Sequence, residues 1–218
     1  MTKISFVGQC LQFCVLLQAL RNSSRKDNLI MNENTKKIAG LGLLTAIVVV
    51  LQLLGAFIRF GPFSISLVLI PIVVGAALYG KMAGAWLGLA FGVAVLASGD
   101  AGAFLAVNPV GTVATVLLKG LLAGLLAGVC YSLIEKKNKV FATIMSAIIC
   151  PIVNTGVFLI GCRLFFFDTI KEWAGGTDVL VYMVTGLVGF NFLFELGANL
   201  ILSPTIIKLV SLGRKENK

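Results

Sequence analysis

The stretch VGTVATVLLKGLLAGLLAGVCYSLI, residues 110–134, is a long apolar run that contains a single charged residue, Lys119. A transmembrane helix needs about 20 predominantly apolar residues, so this stretch is predicted to span a membrane. Gly120, Gly124 and Gly128 recur at every fourth position and therefore share one helix face. Small faces of this kind let membrane helices approach each other closely. The stretch predicts a helical membrane protein with a charged group inside the bilayer.

The composition of the whole chain agrees with this prediction. Of its 218 residues, 58% are apolar and 12% are charged, and the mean hydropathy is +1.01. Soluble domains carry roughly 25% charged residues, so a soluble enzyme, a disordered chain and a secreted disulfide scaffold are excluded. The chain has no histidine, which removes histidine-based zinc sites and Ser-His-Asp triads. We therefore predict no catalytic residue, no metal site and no cofactor.

Six membrane spans are predicted from the apolar runs and the turns that separate them. They cover residues 38–58, residues 64–79, the run after the GKMAG turn (80–84) to about Ser98, and about 110–134, 140–162 and 179–207. No soluble domain is predicted between them. Cys130, Cys150 and Cys162 lie in apolar runs and are interpreted as small core residues. The predicted fold class is an all-α membrane protein with six transmembrane helices.

The positive charges predict the orientation of these spans. With the N-terminus inside, the cytoplasmic segments hold 14 of the 18 lysine and arginine residues. Cytoplasmic loops of membrane proteins carry such an excess, so both termini are predicted to be cytoplasmic, in a multi-pass protein of the cytoplasmic membrane. The same bias accounts for the net charge of +9 without a nucleic-acid partner.

The N-terminal extension, residues 1–30, stands apart from the spans. Its short apolar stretch is interrupted by glutamines and resembles a signal peptide only weakly. A second methionine, Met31, opens the sequence MNENTKK directly before the first span. We interpret Met31 as the biological start and residues 31–218 as the six-span domain. The alternative is an amphipathic anchor helix.

Polar residues inside the spans indicate where a function would lie. Lys119 and Glu195 are the two deeply embedded ionisable residues, and Asn191 and Asn199 share one helix face with Glu195. At about 1.5 Å per residue, Lys119, Asn154 and Asn191 all lie roughly 15–18 Å from the external ends of their spans. These groups are predicted to form the floor of a pocket that opens to the outside. The alternative is a structural Lys119–Glu195 ion pair without a ligand.

The external loops are predicted to cap this pocket. The loop SGDAGAFLAVNP (98–109) contributes Asp100, Phe104 and Asn108, and the loop DTIKEWAGGTD (168–178) contributes Trp173. Aromatic rings with a few polar groups suit a small, partly apolar ligand. For Trp173 and the run 165–167, anchoring at the membrane interface is the favoured interpretation.

Five strings, in this order, resemble a known family. They are KKIAGLGLLTAI, LVLIPIVVGAALYGKMAGAWLGLAFG, LLKGLLAGLLAG, PIVNTGVF and FNFLFELGANLILSP, within about residues 36–212. The chain resembles the substrate-binding S components of energy-coupling factor (ECF) transporters, which are six-span proteins that capture vitamins. Residues 1–30 have no counterpart in this resemblance.

The resemblance implies a function and partners. Such a protein binds a vitamin or related micronutrient from outside with high affinity, and delivers it to a transmembrane coupling subunit and two ATPase subunits. Family members contact the coupling subunit through an AxxxA-like motif in the first span. Gly42 and Ala46 have that spacing here, with glycine in the first position, and Ala39 lies one turn earlier. The alternative is that this small face packs against another helix of the same chain.

The substrate and the class of protein leave alternatives open. PIVNTGVF and NFLFEL look most similar to the subgroup thought to handle pantothenate, and Lys119 would then balance an anionic ligand. Pyridoxine-type vitamins, folate, riboflavin and cobalamin stay open. A self-contained secondary transporter is the first rival, but we find no inverted repeat. A membrane-embedded enzyme is the second, and the absence of histidine argues against it.

Overall fold

A computed structural model describes residues 33–57, 59–60, 63–64 and 67–216 of the chain. The interpretation of residues 1–30 as an extension with a later start falls outside the described residues. The chain divides into two compact units, Met1–Ala39 and Gly40–Lys218, and the described part of the first unit is the beginning of helix α1.

The described chain is almost entirely helical. The helices are α1 (Glu33–Phe57), α2 (Leu69–Tyr79), α3 (Lys81–Ser98), α4 (Gly102–Val107), α5 (Pro109–Ile134), α6 (Lys139–Phe165), α7 (Phe167–Trp173), α8 (Val179–Val181), α9 (Phe190–Ile201) and α10 (Ser203–Glu216), with a π-helical segment Tyr182–Gly189 between α8 and α9. Two short antiparallel strands, β1 (Arg59–Phe60) and β2 (Phe63–Ser64), follow α1. The all-helical membrane class predicted from the sequence is confirmed.

Four helices among the described residues are long and apolar enough to cross a membrane. They are α1, α3, α5 and α6, and the bent segment Val179–Ile201 makes up to five. The second predicted span is shorter than expected, because Ser64 lies in β2 and α2 begins only at Leu69. At about 1.5 Å per residue, α2 extends about 16 Å, which is roughly half the hydrocarbon thickness of a bilayer.

Helix α2 lies at the centre of the described fold. It contacts α3, α5, α6, α9 and α10, and its residues from Leu69 to Ala77 are buried inside the protein. Gly80, with φ of +93°, joins it directly to α3 without a longer loop. An L-residue rarely adopts this left-handed backbone region, whereas glycine does so without a steric cost.

The last predicted span, about 179–207, is not one continuous helix. The helical axis bends by 43° between Val179–Gly189 and Asn191–Ile201, and the π-helical segment ends at this bend. A second break falls at Leu202, after which α10 starts at Ser203 with Pro204 in its first turn. Proline is tolerated there because its missing N–H would have no helical partner. Hydropathy detected the apolar run but could not locate these breaks.

The glycine seam, formed by Gly84, Gly88 and Gly92 of α3 against α5, holds the two helices at close range. An added Cβ at Gly88 would collide with the carbonyl oxygen of Gly120, and one at Gly84 with that of Gly124. Backbone contact of this kind replaces the hydrophobic drive that is absent between helices in lipid. The small face of Gly120, Gly124 and Gly128, which the sequence predicts to approach another helix closely, thus packs against α3 of the same chain.

Two asparagines fix the starts of the long helices α5 and α6. The side-chain oxygen of Asn108 accepts a hydrogen bond from the backbone N–H of Gly111 at 2.9 Å. That of Asn138 accepts from Val140 and Phe141 at 2.9 and 3.1 Å. These N-caps satisfy backbone donors that have no partner within the helix.

Cys130, Cys150 and Cys162 are buried and free. This confirms their interpretation as small core residues.

Candidate functional site

A cavity of about 160 Å³ opens between helices of the second unit. It is lined by Gln52, Phe91, Val95, Asp100, Ala101, Phe104, Thr112, Thr115, Val116, Lys119, Asn154, Thr155, Phe158, Phe166, Leu187, Val188, Asn191 and Glu195. These residues come from α1, α3, α4, α5, α6, the π-helical segment and α9, together with the turn after α3 and Phe166 between α6 and α7. Residues far apart in the sequence therefore meet around one small-molecule-sized space.

Five of the six residues predicted to bind substrate line this cavity. Lys119, Asn154, Asn191, Glu195 and Phe104 all contribute to its wall. From the helical rise per residue, Lys119, Asn154 and Asn191 were predicted to lie at a similar depth in the membrane. The structure brings their helices together, which periodicity alone does not establish.

Asn108, the sixth predicted residue, does not line the cavity. Its side chain caps α5 through Gly111, and its carbonyl oxygen accepts a hydrogen bond of 2.7 Å from the hydroxyl of Thr112. An asparagine before Pro109 at a helix start is a common capping arrangement, and this signal was already present in the sequence. The described geometry thus gives Asn108 a structural task beside the cavity.

Lys119 faces aromatic rings inside the cavity. Its Nζ lies 5.2 Å from the centroid of the Phe158 ring and 5.7 Å from that of Phe91. Aromatic faces attract a cation at such distances, and the attraction grows when water is excluded. Both phenylalanines were missed by the sequence analysis, because a phenylalanine in an apolar run gives no signal of its partner.

Glu195 lies almost fully buried, with 3% of its surface exposed. Its Oε1 accepts a hydrogen bond of 3.3 Å from Nδ2 of Asn191, one turn earlier in α9. Within the described residues, no ion pair connects the carboxylate to Lys119, although both line the cavity. The structural ion pair considered as an alternative is therefore not formed as a direct contact.

Short helices in the connections close one end of the cavity with aromatic rings. Phe104 of α4 makes edge-to-face contacts with Phe158, Phe166 and Trp173, at centroid distances of 5.6, 5.1 and 5.6 Å. Phe166 is 3% exposed, and Trp173 of α7 is 39% exposed. These contacts place Phe166 in a packed cluster, so the interpretation of Phe166 as an interfacial anchor is wrong. The ring of Trp173 contacts the ring of Phe104, and the rest of its side chain is partly exposed.

A polar link joins helix α1 to the same end of the cavity. Nε2 of Gln52 donates a hydrogen bond of 2.6 Å to Oδ2 of Asp100, and its distance to the hydroxyl of Ser98 is 3.4 Å. Gln52 is buried although it lies in an apolar span. Gln52 was not predicted as a site residue, although a lone amide in an apolar span is a signal that could have indicated it.

The small face of α1 lies elsewhere. Gly42 and Ala46 are exposed, and an added Cβ at Gly42 would have no atom within 4 Å. Exposed Leu43, Val50 and Leu53 extend an apolar surface around them. Ala39 lies on the same helix, in the first compact unit. In contrast to the glycine seam of α3, this face is not occupied by another described helix.

Helices that cross a membrane around a cavity with buried polar groups define a multi-pass membrane protein with a small-molecule site. Among family models, one described as "ECF transporter, substrate-specific component" matches residues 36–207. The chain belongs to this family, whose members are the substrate-binding proteins of ECF transporters and are not enzymes. The protein is therefore a transporter component that captures substrate in the membrane. No curated protein sequence matches the chain.

Proposed function

We propose that this protein captures a vitamin or related micronutrient from outside the cell with high affinity and delivers it to an ATP-driven ECF uptake complex. The observation that carries the proposal is the convergence of Lys119, Asn154 and Glu195 on one cavity. Buried ionisable and amide groups are costly in a membrane, and they are retained where a polar ligand pathway needs them. A cavity of about 160 Å³ limits the bound part to a small molecule.

The proposed substrate is pantothenate. Lys119 supplies a cationic group for a carboxylate, and the rings of Phe91 and Phe158 beside it favour a ligand with apolar surface. The likeness of PIVNTGVF and NFLFEL to the pantothenate subgroup points in the same direction. Sharing a fold does not determine the substrate, so the site residues carry this part of the proposal.

The proposed topology has six crossings with both termini in the cytoplasm, and it counts the short helix α2 as the second crossing. The distribution of lysine and arginine, 14 of 18 on one side, supports it. Helix α5 runs from the aromatic end of the cavity to Ile134, which is followed by Lys136 and Lys137. The basic end of α5 thus faces the cytoplasm in this topology, and the cavity opens to the outside.

The proposed docking surface for the transmembrane coupling subunit is the small face of α1, with Ala39, Gly42 and Ala46. The open space at Gly42 and the exposure of Ala46 support it. Gly42→Leu or Ala46→Leu should leave vitamin binding unchanged and abolish uptake, measured with radiolabelled vitamin in cells. Loss of binding by the purified variants would instead place this face inside the fold.

Mass spectrometry of small molecules released from the purified protein tests the substrate. We expect one vitamin in near-stoichiometric amount, and its mass should be that of pantothenate. A different vitamin would reject pantothenate and retain capture. Co-purification with a coupling subunit and ATPase subunits tests delivery, and a protein that transports alone in liposomes would contradict it.

A further inference from the structure

Gln52 ties the buried face of α1 to the turn that follows α3. It lies one helical turn after Val48, and the two side chains are 3% and 0% exposed. Its Nε2 donates a hydrogen bond of 2.6 Å to Oδ2 of Asp100 and lies 3.4 Å from the hydroxyl oxygen of Ser98. A hydrogen bond to a carboxylate is roughly twice as strong as one between neutral groups. This contact therefore anchors α1 at the cavity, which both Gln52 and Asp100 line.

The backbone joins Asp100 to the aromatic rings that close the cavity. The N–H of Gly102 donates to the carbonyl oxygen of Gly99 at 3.0 Å. The N–H of Phe104 donates to the carbonyl oxygen of Ala101 at 3.1 Å, so the turn continues directly into α4. The ring of Phe104 makes edge-to-face contacts at the aromatic end of the cavity. A displacement of Asp100 therefore moves Phe104 with it.

A different face of α1 carries the proposed docking surface for the coupling subunit. Ala46 of that face is exposed, whereas Gln52 is buried. The two residues lie about 9 Å apart along the helix axis, at about 1.5 Å per residue. Because both belong to one continuous helix, a partner that shifts α1 also shifts Gln52 relative to Asp100.

Side chains make the contacts of α1 near Gln52. Leu44 packs against Gly75 of α2, and Nε1 of Trp86 in α3 donates to Oγ1 of Thr45 at 3.2 Å. In the glycine seam, by contrast, the backbone of α3 lies against the backbone of α5. Side-chain contacts re-form after a small shear of one helix past another, whereas close backbone packing resists it. Helix α1 can therefore shift against α3 at a lower cost than α5 can.

We propose that the hydrogen bond between Gln52 and Asp100 is a latch that keeps the cavity closed and is released when the coupling subunit displaces α1. Gln52 is then a positioning residue, because it acts on the bound molecule through Asp100 and Phe104. The inference rests on the proposed docking at α1 and deepens it, since it names the contact through which docking reaches the cavity. Without the hydrogen bond, the turn loses its anchor and the bound vitamin leaves faster.

Two variants break the latch and one keeps it with its polar groups exchanged. Gln52→Leu removes the donor and Asp100→Ala removes the acceptor. The double variant Gln52→Glu/Asp100→Asn forms the hydrogen bond in the opposite direction, because the asparagine amide donates to the glutamate carboxylate. A residue that acted only by touching the vitamin would not be rescued by this exchange. Thr45→Val is the matched control, since it removes the contact of α1 with Trp86 and does not alter the lining of the cavity.

The measurement is the release of a radiolabelled vitamin during a chase with unlabelled vitamin. It uses the full chain in lipid nanodiscs, alone and in complex with the coupling and ATPase subunits. Pantothenate is the first probe, followed by pyridoxine, riboflavin, folate and cobalamin, and the one that binds is used for the release measurements. The parent should release it slowly alone and about tenfold faster in the complex.

Gln52→Leu and Asp100→Ala alone should release the vitamin about tenfold faster than the parent, and the complex should add little to their rates. The exchange variant and Thr45→Val alone should release it at the rate of the parent. Rates like that of the parent in Gln52→Leu or Asp100→Ala overturn the latch and leave capture intact.

Fast release from the exchange variant also overturns the latch, because Gln52 or Asp100 then acts by touching the vitamin. Equal release by the parent with and without the complex overturns the connection between the latch and docking. If none of the probes binds, vitamin capture is rejected together with the latch. Thermal unfolding followed by tryptophan fluorescence identifies variants that fail to fold, and the folded member of the pair Gln52→Leu and Asp100→Ala then decides.

Discussion

Replacing Gly88 by alanine in the glycine seam sets two effects of opposite sign against each other. Alanine is a better helix former than glycine by roughly 0.8–1 kcal/mol, so propensity alone would stabilise the protein. In the structure the new methyl group would collide with the carbonyl oxygen of Gly120. That oxygen belongs to the backbone of α5, so no side-chain rotation relieves the collision and the two helices must separate.

Steric overlap is expected to exceed the gain in propensity. Overpacking of a well-packed site costs about 1–3 kcal/mol, and the upper part of that range applies where backbone must move. A chain of this length changes its Tm by about 2–4 °C for each kcal/mol. After the propensity gain is subtracted, Gly88→Ala should lower the Tm by roughly 3–8 °C.

Gly42→Ala is the matched control, because it is also a helical glycine but its Cβ would meet nothing within 4 Å. Only the propensity term remains there, so its Tm should stay equal or rise by up to about 4 °C. The measurement is thermal unfolding of the purified proteins in one detergent, followed by tryptophan fluorescence. Equal or higher Tm in Gly88→Ala would refute the close contact of α3 with α5.

Further predictions concern the cavity. Lys119→Ala and Asn154→Ala should each weaken vitamin binding by about tenfold or more in calorimetry, because a charged or amide partner is lost; normal affinity in both would show that the pocket floor is misplaced. Phe104→Ala removes edge-to-face contacts with Phe158 and Trp173, each worth about 0.5–1.5 kcal/mol. Dissociation of the vitamin, followed by stopped-flow fluorescence, should therefore accelerate about tenfold, and an unchanged rate would exclude Phe104 from closure of the cavity.

The cavity shows how far a sequence can lead toward a site. Lys119 and Glu195 stood out because charges are rare in spans, and both line the cavity. Thr115 did not stand out, since a threonine is common in membrane helices and usually bonds to its own backbone. Only the structure shows that Thr115 packs against Gly161 and that it lines the cavity.

The connections between the predicted spans contain helices that were not predicted from the sequence. Residues 98–109 were predicted to form a loop, and they contain the short helix Gly102–Val107, in which Phe104 packs against an aromatic cluster. The loop 168–178 begins with the helical residues up to Trp173. These helices are too short to form by propensity alone, so tertiary packing of their aromatic residues stabilises them.

The sequence by itself determined the membrane class, the apolar runs and the embedded charges, because each depends on composition and on the cost of charge in lipid. It also indicated the family, which the match over residues 36–207 establishes. Tertiary structure alone decided that α2 is short and central, that the last apolar run bends by 43°, and which residues meet in the cavity. Helical periodicity defines the face on which a residue lies, whereas the neighbour of that face depends on how whole helices pack.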